Sequence, residues 1–389
     1  MRHHQSHLSC FQLKGISRVQ FKLGGLLLSL FIGLTSLFGS LFISTWGFAS
    51  EYQVEFEKLI PLRSNGKLQI LNNRGDVIIE GWSQDKVRLS LKKKATAENE
   101  LEAQRLFKSV EVFHQVIQGN VEISANFGQG LTLQEKLHER DHPKTSMQMS
   151  LLAPAGRSLQ ILALQGRVIL KNWYGPVEIR ASSGEIRVEN VRGREIFVLC
   201  PSCSIEAKGI RGDLRCIGGK QDIQLENVKS DQVYIESDSG KIRAKQIQGE
   251  QLYVSKTGAV LARNLSGNIE FMSRDANVEL THVSGSVSGK TTSGNILIRS
   301  AQWIFHDKAL LESESGNIAV ALPDQFSGEL DLLTQADKLR VDVPVSWTIP
   351  ISNFNSAMLL QHFVGTVRGG HEPLRIVSEK GNVEVTYWK

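Results

Sequence analysis

Through the middle of the chain apolar residues sit at alternate positions in short runs, as at Val177 and Ile179, Ile186 and Val188, and Ile242 and Ala244. A period of two describes a β-strand with one face buried. Between the runs a glycine returns every 9 or 10 residues: Gly166, Gly175, Gly184, Gly193, Gly212, Gly240, Gly249, Gly258, Gly267, Gly285 and Gly294. The missing beats fall on Cys203, Gln221, Asp231 and Ala276. Glycine reaches the positive φ that tight turns need, which other residues do only at a cost.

The beats are of two kinds, and they alternate. One often has Ser or Thr just before the glycine (Ser183, Ser239, Thr257, Ser293); the other follows an aliphatic residue and one more, as in "VRG" and "IQG". The true repeat is therefore 18–19 residues: strand, turn, strand, turn. So short a unit cannot bury its own apolar face, and only stacking copies makes a core. The pattern predicts a mainly β protein, a parallel β-solenoid with about two strands per coil. A 27-residue coil of three strands would put the two beat types out of phase. At a strand spacing of about 4.8 Å, roughly seven coils between Gly166 and Gly294 would span about 30–35 Å.

The flanks divide the rest. Residues 50–160 are expected as a β-rich lead-in, with one amphipathic helix near 97–113 where Ala103, Leu106, Phe107 and Val110 fall at helical spacing and Thr96 is placed to cap. Residues 161–321 carry the solenoid repeats, and 322–389 are expected as a C-terminal β cap, since bare solenoid ends invite edge-to-edge pairing.

Several stretches resemble a known family. "NGKLQILNNRGDVIIEGW", "LLAPAGRSLQILALQGRVILKNWYGPVEIRASSGEI", "SGNIAVALP" and "GTVRGGHEPLRIVSEKGNVEV" are similar to the bacterial putative-adhesin β-strand repeat family, a domain of unknown function. The resemblance spans nearly everything after residue 55. It implies an exported, solenoid-like β protein and brings no catalytic residues with it.

Residues 1–49 change the reading of charge and location. Gly24 to Ser50 holds no charged residue, and Arg2, Lys14, Arg18 and Lys22 precede it, the pattern of an export signal. "GFA", ending at Ala49, suits cleavage before Ser50; the apolar run is also long enough to span a bilayer as an uncleaved anchor through residues 24–49. The whole chain has a formal charge of +5, but without residues 1–49 it has 41 basic and 40 acidic residues, a net +1. No nucleic-acid partner is expected from such a balance. The expected location is the periplasm or the cell surface.

Candidate chemistry is sparse. His138, Glu139 and His142 spell H-E-x-x-H, but Arg140 and Asp141 are charged, Pro143 would end a helix at once, and no glutamate lies between Glu139 and Glu178 to complete a zinc site. A solvated loop is expected there, with no metal. Nor is any cofactor expected, since Walker, Rossmann, G-x-S-x-G and C-x-x-C-H patterns are all missing. Cys200, Cys203 and Cys216 follow the signal. Stacking puts Cys216 beneath Val198, so a Cys200–Cys216 disulfide is expected, or else three small buried residues. One outward column reads Arg187, Glu206, Gln224, Arg243, Leu261 and Glu279, a solvated face. The other reads Glu178, Phe197, Arg215, Tyr234, Tyr253 and Glu270. Phe197, Arg215, Tyr234 and Tyr253 are the ligand-binding candidates, an aromatic ladder for sugar rings; the alternative is a face covered by another segment.

The expected function is a non-enzymatic envelope protein whose solenoid is a scaffold or binding surface, with surface glycans or envelope proteins as partners. A carbohydrate-active β-helix enzyme and a membrane-associated envelope-stress accessory are the alternatives. Fold class does not separate them.

Overall fold

The computed structural model describes residues 49–132, 134–135, 144–304, 309–348 and 360–388. These form 25 strands hydrogen-bonded into one continuous sheet, with one α-helix. The coils stack in parallel. Ile186, Ile205, Ile223, Ile242, Val260, Val278 and Ile296 lie one above another, each partner 18 or 19 residues further on. All seven are buried, and each such side chain contributes about 1.5–3 kcal/mol. Their outward neighbours Arg187, Glu206, Gln224, Arg243, Leu261 and Glu279 form the expected column in register.

Each coil turns two corners, built differently. At one, a residue in the left-handed region (Asn172, Asn190, Asn227, Gln246, Asn264 or His282, φ 53° to 58°) precedes a buried aliphatic or Trp173. Asparagine tolerates that region better than most residues. A glycine follows in most coils: at Gly212 φ is +114°, and an added Cβ would stand 1.7 Å from the Gly193 carbonyl oxygen. The other corner is closed by a buried hydroxyl. Ser237 Oγ donates to the Gly240 carbonyl (2.8 Å), Thr291 Oγ1 to that of Gly294 (2.7 Å) and Ser378 Oγ to that of Gly381 (3.1 Å). Gly240 and Gly294 do not have positive φ; they are glycine because the coil below is too close, its carbonyl 1.9 and 1.8 Å from where a Cβ would sit.

That second corner explains the cysteines. Cys200 bonds to Cys203, and Cys216 is free and buried. The expected Cys200–Cys216 bridge is therefore corrected. Cys216 does lie against Val198, but Cys200 stacks on Gly218, below Ser237, where other coils carry the hydroxyl. The disulfide spans the same i to i+3 corner that the Ser237 hydrogen bond spans.

The ends depart from sequence order. At the start, Lys67–Asn72 and Asp76–Trp82 make the first half-coils, with Ser158–Tyr174 stacked on one side and Asn120–Phe127 and Thr145–Pro154 on the other. Antiparallel strands then close both faces: Val110–Ile117 on Asn120–Phe127, and Lys86–Ala97 followed by Ser50–Pro61 on Thr145–Pro154. The helix spans Glu100–Lys108, shorter than expected, and Asn99 caps it rather than Thr96, its side chain accepting from the Glu102 N–H. Ala103 and Leu106 pack on Ala95 and Ala97. At the far end, Gly328–Gln335 and Leu339–Val341 form the outermost coil, and the last two strands in sequence, Pro373–Ser378 and Val383–Tyr387, slot between it and Ala309–Ser313 and Ile318–Leu322.

Candidate functional site

The second outward column starts as expected. Phe197 pairs with Arg215, and Arg215 with Tyr234, on successive coils. Parallel strands about 4.8 Å apart bring such residues side by side. The Arg215 guanidinium lies 5.9 Å from the Phe197 ring centre and 4.9 Å from that of Tyr234, and Arg180 caps Phe197 at 5.0 Å. Each cation–π contact at a wet surface is worth about 0.5–1 kcal/mol. Phe197 and Tyr234 are half-buried and Arg215 is exposed. The carboxylates alongside are engaged: Glu236 accepts from Tyr234 Oη (2.7 Å), and Glu178 accepts from Arg180 (2.5 Å) and Gln160 (2.8 Å). Burial, with the Glu236 hydrogen bond next, raises the Tyr234 phenol above its ordinary range.

Tyr253 is not part of this column. The residue stacked on Tyr234 is Leu252, and Tyr253 stacks on Ile235 in the core, fully buried. The cause is a register shift between Lys229 and Gln232, where the strand Ile223–Ser237 carries one residue more than the coils on either side. One extra residue moves every later side chain to the other face. The buried Tyr253 hydroxyl donates to Gln251 Oε1 (2.8 Å), whose amide nitrogen reaches the carbonyls of Gly249 and Ser266, both at 3.2 Å. Burial raises its pKa strongly.

The first outward column carries an ion pair between Arg187 and Glu206 (3.0 Å), and Glu279 pairs with Arg299 (3.6 Å) of a neighbouring column. Surface pairs like these contribute little each. The motif at His138, Glu139 and His142 lies outside the described residues, as do residues 1–48. No helix among the described residues is long and apolar enough to cross a membrane, and none of their His, Cys, Asp and Glu side chains cluster as a metal site.

The left-handed corners went unread in the sequence, although "ENVRG", "ENVKS", "KQIQG" and "RNLSG" carry their signal. Stacked, they wall a shallow groove parallel to the solenoid axis that includes Asn190, Arg192, Arg211, Asn227, Lys229 and Gln246.

Residues 166–386, from the first full coil to the last strand, match the model of the Toastrack DUF4097 family, more than half of the chain. The chain belongs to the Toastrack DUF4097 family. Solved structures similar to it include a putative cell adhesion protein from Clostridium sporogenes (8% identity, 86% of this chain and 100% of that one, TM-score 0.22). A putative adhesin from Bacteroides fragilis matches at 12% identity over 64% of this chain and 97% of its own, TM-score 0.30. A putative lipid binding protein from Parabacteroides distasonis matches at 11% identity over 85% and 96%, TM-score 0.28. No curated protein matches by sequence. The Toastrack assignment rests on the family match, and the coil register describes its solenoid in this chain.

Proposed function

We propose that this Toastrack protein is a non-enzymatic component of the cell envelope, exported by residues 1–49, whose solenoid is a rigid rod presenting outward columns to surface glycans or envelope proteins. The observation that carries this reading is the strip in which Arg215 lies between Phe197 and Tyr234 on the outward face. The rings are held by the strand register and by the arginines, so little side-chain freedom remains to be lost on binding. Their exposed edges and the guanidinium suit sugar rings or partner side chains.

The test is a binding screen of the exported protein against glycans and isolated envelope components, repeated with Phe197→Ser/Tyr234→Ser. Binding that falls at least about tenfold, with unfolding shifted by only the roughly 1.5–3 kcal/mol of the three lost cation–π contacts, is the expected result. A double variant that binds every ligand of the parent equally well would overturn the role of the strip.

A further inference from the structure

The surface of this solenoid generally stacks opposite charges. One column reads Lys171, Glu189, Lys208, Glu226 and Lys245 on five successive coils, with ion pairs of 2.9–3.2 Å. Three residues further along the same coils the rule breaks. There Tyr174, Arg192, Arg211, Lys229 and Gln248 stack in register, placing three cations in a row. All three are exposed, and among the described residues no ion-pair partner engages them. Like charges directly opposite one another on neighbouring strands are destabilising. A column that bears this cost on three coils running, beside one that alternates in sign, calls for an anion.

We propose that the corner groove binds a linear, carboxylate-bearing glycan laid along the solenoid axis. The cations recur at the coil spacing, about 4.8 Å, so a chain with acidic groups at short regular intervals can meet them in turn. Arginine forks match carboxylates in bidentate fashion. The carboxamides of Asn190, Asn227 and Gln246 form the opposite wall, each held outward by its left-handed backbone, and they offer both donors and acceptors to hydroxyl groups. Arg192 lies 5.8 Å from the Tyr174 ring centre, which adds an aromatic face at one end. The cationic column is bordered by Gly193 and Gly212, with Arg194 exposed just past the first. Beyond its glycines Glu195 and Asp213 stack on one another, and they would repel a broad anionic surface such as a membrane while leaving room for a single strand. This groove is separate from the Phe197–Tyr234 strip, and its assignment does not depend on that one.

Protein purified from cells expressing the full chain is titrated with polygalacturonate and, in parallel, with neutral dextran and phosphatidylglycerol vesicles. Polygalacturonate is expected to bind, dextran not, and the binding to weaken as salt shortens the screening length. Arg192→Gln/Arg211→Gln/Lys229→Gln is expected to weaken binding at least about tenfold, from roughly two- to fivefold per exposed charge. Its thermal unfolding should be unchanged or raised, because like charges have been removed. Tyr234→Ser should leave polygalacturonate binding intact, so that this site and the strip fail separately. The proposal is overturned if the triple variant binds like the parent, if polygalacturonate binds no better than dextran, or if vesicles alone are bound.

Discussion

Cys216 shows what a single position in this solenoid experiences. It is wholly enclosed and free, and burial alone pushes its thiol up to about 12 from an ordinary 9.0. Thiolate is the reactive form, so Cys216 should resist a thiol reagent in the folded protein and react at once in denaturant; rapid labelling of native protein would contradict its placement. The sign of the linked pH effect follows. In the unfolded chain the thiol ionises near pH 9, while in the folded chain it holds its proton. The stability this site contributes is thus complete below pH 9 and declines as pH rises towards 12. Unfolding curves of the parent and Cys216→Ala between pH 8 and pH 10.5 should converge in the alkaline direction. The stacking of Cys216 on Val198 was legible in the sequence, because it needs only the repeat length. The pairing of Cys200 with Cys203 was not. It required seeing that "CPSC" takes the place of "SDSG", a corner whose buried hydroxyl leaves no trace in a pattern of apolar residues.

At the scale of the coil, the glycine beats meet two demands. Gly212 needs positive φ as well as room for the coil beneath, whereas Gly240 needs only the room; positive φ does not follow the beat type, since Gly184 has it and Gly193 does not. Gly240→Val would drive a side chain into the Gln221 carbonyl, 1.9 Å from its Cβ, and should cost about 3 kcal/mol or more. Ser237→Ala leaves the Gly240 carbonyl without its buried hydroxyl donor and should cost about 1–3 kcal/mol. Urea unfolding measures both; a Gly240→Val variant as stable as the parent would contradict the close stacking. Strand positions and the charged column from Arg187 to Glu279 could be read from periodicity alone. The bulge at Ser230 could not. Its extra residue is one more 10-residue step among steps of 9 and 10, and only the hydrogen bonds show which coil absorbs it: the Gln232 N–H donates to Asp213 at 3.2 Å and to Ser230 Oγ at 3.0 Å.

At the scale of the molecule, the strands Pro373–Ser378 and Val383–Tyr387 fill a gap between coils formed by residues 309–341, so the stack there is completed by residues that come later in sequence. Asn317 Oδ1 accepts from the Asn382 N–H at 2.8 Å, continuing across a 65-residue gap a ladder that runs through Asn277 and Asn295. Removing residues 373–389 takes out a whole coil and bares the strands on both sides of the gap. Limited proteolysis should then cut residues 323–341 rapidly while the coils from Ser158 to Ser255 stay protected, since stacked repeats depend mainly on their neighbours; equal protection of 323–341 in the truncated and full chains would contradict the insertion. The "GNV" beat before Val383 was legible as one more strand of the repeat, but out-of-order insertion is long-range pairing, which local periodicity does not encode. Register decides which side chains face out and which face in to form the core, and Tyr234 and Tyr253 stand on opposite sides of that division. Equilibrium unfolding of Tyr234→Ser and Tyr253→Ser tests it most directly. Tyr253→Ser should lose about 3–5 kcal/mol, as core aromatic truncations do, and Tyr234→Ser about 1 kcal/mol, the size of its cation–π contact; equal losses, or the larger loss at Tyr234, would contradict it.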